Sequence, residues 1–295
     1  MKNKNLNFIF WGTPDVASET LKILKENGYM PSLIITAPDK PQGRKMTITP
    51  PPVKIWAIEN KIPYTQPEKL SEEQNILKGQ SLREFPQGLS LESKNILPEL
   101  SIIVAYGKII PENILNLPKL GSVNIHYSLL PKYRGASPVE SAILNGDTET
   151  GITIQKMEYK MDTGPIIAQE KVEISPDEKA GELRKRLIKI GGELLVKILP
   201  DFIDGKIKLT SQDERLASVC KKIKKEDGLI DLNNDPIKNY NKFRAYAIWP
   251  RIFFFKDSKR IIITDAVLEN NQFVIKKIIP EGKKEINWKE FKKQN

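Results

Sequence analysis

At 295 residues, 39% of them apolar, the chain is long enough for two domains and too hydrophobic to be a disordered segment. One cysteine excludes an internal disulfide and fits a reducing compartment, and a single histidine beside it leaves the usual zinc sites short of ligands. The net charge of +10 is uneven: residues 206–295 hold 21 Lys and Arg against 12 Asp and Glu, while residues 1–205 hold 26 against 25. A basic module beside a near-neutral one suits a polyanion gripped at one end while chemistry proceeds at the other, and a lysine-rich solvated surface is the plainer alternative. The apolar run before Gly12 and Pro14 falls short of the roughly 7–15 residues of a signal peptide, and nothing approaches the ~18 of a membrane helix. The expectation is a cytoplasmic monomer with no membrane partner.

In chain order, Asn7–Trp11 reads as a buried strand, Gly12-Thr13-Pro14-Asp15 as a turn, and Asp15 opens a helix that Gly28 ends. Ser32–Ala37 is a second strand, which completes a βαβ unit and predicts a parallel sheet. The first turn lacks G-x-G-x-x-G, which argues against a nicotinamide dehydrogenase. Pro38–Val53 is a long, proline-stiffened loop with three basic residues. Lys54–Asn60 is helical, and residues 68–99 read as a helix with a polar insert at 79–95. Leu100–Ala105 and Gly121–His126 are further strands, Pro138–Asn145 a helix, and Gly151–Met157 with Ile166–Ile174 a strand pair. Glu182–Leu199 is a long amphipathic helix, and Asp201–Asp213 is the candidate linker. The last part has a short helix at Pro236–Ala245 and strands near Arg251–Lys256, Arg260–Leu268 and Gln272–Ile279, a pattern that suggests a small β-barrel.

The chemistry centres on V-N-I-H-Y-S-L-L-P-K-Y-R-G, which holds the one histidine, His126. Strand periodicity puts Asn124 and His126 on one face and turns Ile125 the other way. A carboxamide and an imidazole at the end of a parallel strand occupy the place where α/β sheets put ligands. Asn124 can donate to a developing oxyanion, and His126 can move a proton near neutral pH. Asp162, in the turn M-D-T-G, is the candidate orienting carboxylate. On these residues alone, a packed histidine and a catalytic one stand about level.

N-I-H-Y-S-L-L-P-K-Y-R-G-A-S-P, G-D-T-E-T-G-I-T-I-Q-K-M and M-D-T-G-P-I-I resemble the formyltetrahydrofolate-dependent formyltransferases. So do F-W-G-T-P-D, A-P-D-K-P-Q-G-R, P-P-V-K and V-A-Y-G-K-I-I-P. K-I-K-K-E-D-G-L-I-D and R-A-Y-A-I-W-P are similar to the C-terminal domain of the branch that acts on methionyl-tRNA. The resemblance implies a Rossmann-like formyltransferase domain over 1–205, a linker at 206–220 and an OB-like, shortened β-barrel at 221–295. It implies transfer of a formyl group from 10-formyltetrahydrofolate to the α-amine of methionine on initiator tRNA, with no metal required. Asn124, His126 and Asp162 match the family's catalytic positions, and Ser128, Leu129, Leu130 and Pro131 its folate segment. Arg44 and Lys45 lie in the loop that reaches the acceptor end, and Lys221, Lys222, Lys224 and Lys225 would meet tRNA phosphates.

Arg244 and Arg251 either join those lysines or pin the barrel. Trp249, Phe253, Phe254 and Phe255 are expected mostly in the barrel core, with Phe253 and Phe255 pointing one way and Phe254 the other. Trp11 and Tyr127 stand where the family usually has small residues. Trp11 is expected to reshape the methionine side of the cleft, and Tyr127 either narrows the folate entrance or lies on the surface. An amino-sugar N-formyltransferase, a glycinamide ribonucleotide formyltransferase, a formyltetrahydrofolate hydrolase and a catalytically silent RNA-binding protein remain open alternatives.

Overall fold

The computed structural model describes residues 6–43, 46–68, 70 and 98–294. The insert at 79–95 and the loop residues Arg44 and Lys45 lie outside the described residues. From the N-terminus the elements are β1 (Phe8–Gly12), α1 (Asp15–Glu26), β2 (Leu33–Ile35), β3 (Lys40–Gln42), β4 (Thr47–Thr49), α2 (Pro52–Glu59), β5 (Tyr64–Thr65), β6 (Leu100–Val104), α3 (Glu112–Leu115) and β7 (Ser122–His126). They continue with β8 (Arg134–Gly135), α4 (Pro138–Leu144), β9 (Glu149–Lys156), β10 (Ile166–Glu173), α5 (Ala180–Ile203), β11 (Val219–Cys220), α6 (Pro236–Ala245), β12 (Phe253–Lys256), β13 (Lys259–Glu269), β14 (Gln272–Pro280), β15 (Ile286–Asn287) and α7 (Trp288–Gln294). The chain condenses into two units. One holds Met1–His126, Ile152–Glu170 and Ile188–Asp213, and the other holds Tyr127–Gly151, Lys171–Leu187 and Glu214–Asn295.

The first unit is built on a seven-stranded sheet ordered β10-β9-β7-β6-β1-β2-β5. β1 pairs in parallel with β2 and β6, β2 with β5, and β6 with β7, whereas β9 runs antiparallel to β7. Strands of a parallel sheet are covered on both faces, so they read as unbroken apolar runs. F-I-F-W-G in β1 and L-S-I-I-V in β6 are buried at every position. The chain steps outward from β1 to β2 and β5, then returns to the other side of β1 through β6 and β7. Ligands of such sheets bind beyond the strand ends at that reversal. Gly12 ends β1 there, and a Cβ on it would lie 2.5 Å from Ala17 Cβ and 3.0 Å from the Val104 carbonyl. α1 buries Val16, Ala17, Leu21 and Leu24. Gly192 of α5 lets the two helices close up, since a Cβ there would meet Ile23 Cδ1 at 2.6 Å.

The proline-rich loop holds a feature its sequence hides: β3 and β4 form a two-stranded hairpin, with Met46 and Ile48 well exposed. α5 also runs through Pro200 to Ile203, so the first residues of the expected linker are helical.

In the second unit, β12 to β15 form an antiparallel sheet in sequence order. Phe254 packs edge-on against Trp288, which stacks on Phe291 of α7. Phe253 and Phe255 share a face, with ring centroids 5.7 Å apart, as alternation predicts. Phe253 and Phe254 are core residues, but Phe255 is 56% exposed and Trp249 53%, so the expected aromatic core holds for only two of the four. α6 is set by Asp235, which accepts from the Ile237 and Lys238 amides, and by Pro236 at its first position. β8 pairs in parallel with β11, and Arg134 is clamped in bidentate fashion by Glu214 at 2.7 and 2.9 Å.

Candidate active site

β7 sits between β6 and β9, and the pairing decides which side chains share its reactive face. Asn124 lies opposite Gln155, and His126 opposite Thr153. Cross-strand partners leave the sheet on the same side, so these four form one polar face, while Val123 and Ile125 point into apolar packing. His126 is 5% exposed. Its Nδ1 lies 3.6 Å from Asp162 Oδ2, within ion-pair range but longer than a hydrogen bond. The structure thus brings together Asn124, His126 and Asp162, residues separated by as many as 38 positions in the chain.

The Asp162 turn is held by groups that the sequence did not single out. Asp162 has φ 54°, in the left-handed region that Asp and Asn enter more readily than other non-glycine residues. Gln212 braces the turn, donating from Nε2 to the carbonyls of Asp162 at 2.9 Å and Gly164 at 2.8 Å. Gly164 is needed because a Cβ there would lie 1.8 Å from the Lys156 carbonyl oxygen. On the carboxylate itself, Oδ1 accepts from Gln155 Nε2 at 2.9 Å. Below His126, Thr153 is fully buried and accepts from Gln169 at 2.9 Å. Asn124 is half-buried, and among the described residues its carboxamide has no hydrogen-bond partner. At the reversal point, Thr13 ties three strand ends together: its hydroxyl donates to the Tyr106 carbonyl at 3.1 Å and accepts from the Ala37 amide at 3.4 Å.

Trp11 corrects an expectation. It is 1% exposed and sits in the core with Ile9, Leu33, Ile35 and Ile103, edge-on to Tyr106, its indole N–H donating to Ser101. A side chain so enclosed lines no cleft. Tyr127 is half-buried.

The segment matched to folate binding lies in the second unit. Ser128 is fully buried and donates to the Lys132 carbonyl at 2.5 Å, and Lys132 N–H returns to the Leu129 carbonyl at 3.0 Å. Ser128 and Leu130 therefore shape the turn, while Leu129 and Pro131 offer surface. Lys221, Lys222, Lys224 and Lys225 are exposed, and among the described residues none of their four ammonium groups pairs with a carboxylate. Arg244 is settled as a pin: it is 5% exposed, donates to Asn241 and the Ser175 and Glu178 carbonyls, and lies over the Tyr240 ring. Burial pushes its guanidinium below the ordinary value.

Set beside known proteins, residues 4–199 match the family described as formyl transferase, and residues 222–274 the family described as formyl transferase, C-terminal domain. The chain belongs to the formyl transferase family. It is 38% identical over 267 residues to the methionyl-tRNA formyltransferase of Sulfurihydrogenibium sp., covering 90% of this chain and 82% of that one. To the methionyl-tRNA formyltransferase of Thermotoga maritima it is 39% identical over 245 residues, covering 83% and 74%. Among solved structures, this formyl transferase shares its fold with the methionyl-tRNA formyltransferase of Clostridium thermocellum. The TM-score is 0.59 at 17% identity, covering 93% of this chain and 98% of that one. The N-formyltransferase of Helicobacter canadensis, solved with folinic acid and dTDP-3-aminofucose, has a TM-score of 0.65 at 20% identity, covering 90% and 88%.

Proposed function

We propose that this formyl transferase moves a formyl group from 10-formyltetrahydrofolate to the α-amine of methionine on initiator tRNA, using Asn124, His126 and Asp162. The observation that carries the reading is one of extent: identity of 38–39% to methionyl-tRNA formyltransferases runs through most of the chain, and both domains match the family. The donor set suits the chemistry. An unengaged carboxamide beside an imidazole, on a face otherwise closed by buried hydrogen bonds, is suited to an oxygen that gains charge and an amine that sheds a proton.

The folate supplies an activated formyl group. Asn124 donates an N–H to the formyl oxygen as charge builds there. His126, with Nδ1 turned to Asp162, offers Nε2 to the reacting amine and takes its proton. The amine bonds to the formyl carbon, Asp162 steadies the imidazolium that results, and that proton passes to N10 of the folate as the N10–carbon bond breaks. Leu129 and Pro131, on the turn shaped by Ser128 and Leu130, would hold the folate. Lys221, Lys222, Lys224 and Lys225, with Arg44 and Lys45, would meet the tRNA phosphates. Catalysis by these groups needs no metal. Among the described residues no helix is long and apolar enough to cross a membrane.

The test is transfer of labelled formyl from 10-formyltetrahydrofolate with methionyl initiator and elongator tRNA offered in parallel. Formylation of the initiator alone, abolished in His126→Ala, is the expected result. Transfer to an amino sugar, with neither tRNA modified, would replace the proposed acceptor.

A further inference from the structure

Gln155 lies on β9 directly opposite Asn124 and is 1% exposed. Its Nε2 donates to Asp162 Oδ1, and among the described residues its buried Oε1 has no hydrogen-bond partner. The two facts belong together. An ionised carboxylate only accepts, so a carboxamide beside it must turn its N–H inward and its oxygen away. Here the oxygen is turned into the buried interior, an arrangement that ordinarily lowers stability. An apolar side chain of the same length would fill the space without that loss. What the carboxamide adds is its one contact with Asp162.

We propose that Gln155 is a positioning residue for formyl transfer. It occupies Oδ1, so that Oδ2 is the oxygen turned toward His126 Nδ1. The inference rests on the roles given above to Asn124, His126 and Asp162. Labour is divided around the turn: Gln212 fixes the backbone at 162 and 164, and Gln155 fixes the carboxylate. Of the groups facing Asp162, His126 from β7 is titratable and within ion-pair range, whereas Gln155 from β9 and Gln212 from the segment after α5 are uncharged.

The experiment compares Gln155→Met and Gln155→Glu with wild type in the full chain, measuring kcat and KM across pH, with Asp162→Asn as reference. Gln155→Met should lower kcat about ten- to a hundredfold at neutral pH and leave both KM values within about twofold. The thermal midpoint should be kept. Gln155→Glu sets a second carboxylate against the first and should lower kcat further, again without raising KM. If Gln155→Met does not fold, the Glu variant decides alone. Wild-type turnover in the variants would overturn the proposal. So would a loss of kcat that tracks lost thermal stability, because Gln155 would then only pack. Full turnover in Asp162→Asn would remove the reading of the site itself. An inactive Asp162→Asn beside normal Gln155 variants removes only the role of Gln155.

Discussion

Asn124 is half-exposed while its strand neighbours Val123 and Ile125 are buried, and its carboxamide is not consumed by the fold. A donor of that kind helps only where charge develops, so Asn124→Ala should lower kcat about 10²–10³-fold with little change in KM. Single-turnover formyl transfer measures the effect directly. The same residues mark how far the sequence reaches at this scale. Asn124 and His126 were legible because strand periodicity is a local property, and Asp162 because a carboxylate in a glycine-bearing turn stands out. Gln155 and Thr153 were not. Both sit at alternate positions of a strand, where polar residues usually mean a solvated face, and only the pairing of β9 with β7 and Gln169 of β10 shows that face to be closed. Gln212 lies 50 residues from the carbonyl it holds, a separation that no spacing rule bridges.

Among elements, α6 shows how a short helix is tied into its unit. Tyr240 donates to Asp177 at 2.7 Å, and Tyr246 follows at the helix end. Burial pushes both phenols up to about 12, with the Asp177 contact adding to the shift at Tyr240. A phenol with a raised folded pKa contributes stability that is fully present below its unfolded value of about 10 and is lost as pH climbs toward the folded value. Thermal midpoints should therefore fall between about pH 10 and 12, and the fall should be shallower in Tyr240→Phe. α6 was legible almost to the residue, since Asp235-Pro236 is a strong local start signal. The β3–β4 hairpin was not, because Pro41 argues against a strand and the ladder is three residues long. The β8–β11 pair was equally hidden, being two residues on each side and joined across 85 positions of chain.

For the whole molecule the governing term is charge. The excess of positive residues in the last 90 is carried in part by Lys221, Lys222, Lys224 and Lys225, exposed and with ammonium groups that pair with no carboxylate among the described residues. Such lysines act on a polyanion through counterion release, so the logarithm of tRNA affinity should fall linearly with the logarithm of salt concentration. Replacing the four with glutamine should flatten that slope by about 0.7–0.9 per phosphate contact removed, and titrations at three or four salt concentrations read it. Initiator preference should survive the change, since nonspecific phosphate contacts lower affinity for all tRNAs alike. The uneven charge was plain in the sequence. Each structural unit gathers stretches from several parts of the chain, an arrangement that spacing along the sequence does not show.

Cys220 is the chain's single thiol, and it closes the β8–β11 pair from inside. Its Sγ is buried, accepting from the Ser137 amide at 3.3 Å and reaching the Tyr133 carbonyl at 3.4 Å. Gly135 opposite has φ +115° and no room for a Cβ, which would meet the Cys220 carbonyl at 2.3 Å, so the two strands lie close over the thiol. A disulfide reagent then finds nothing to attack until this seam parts. The modification of one sulfur becomes a clock for local opening, read in absorbance against time and free of background from any other site.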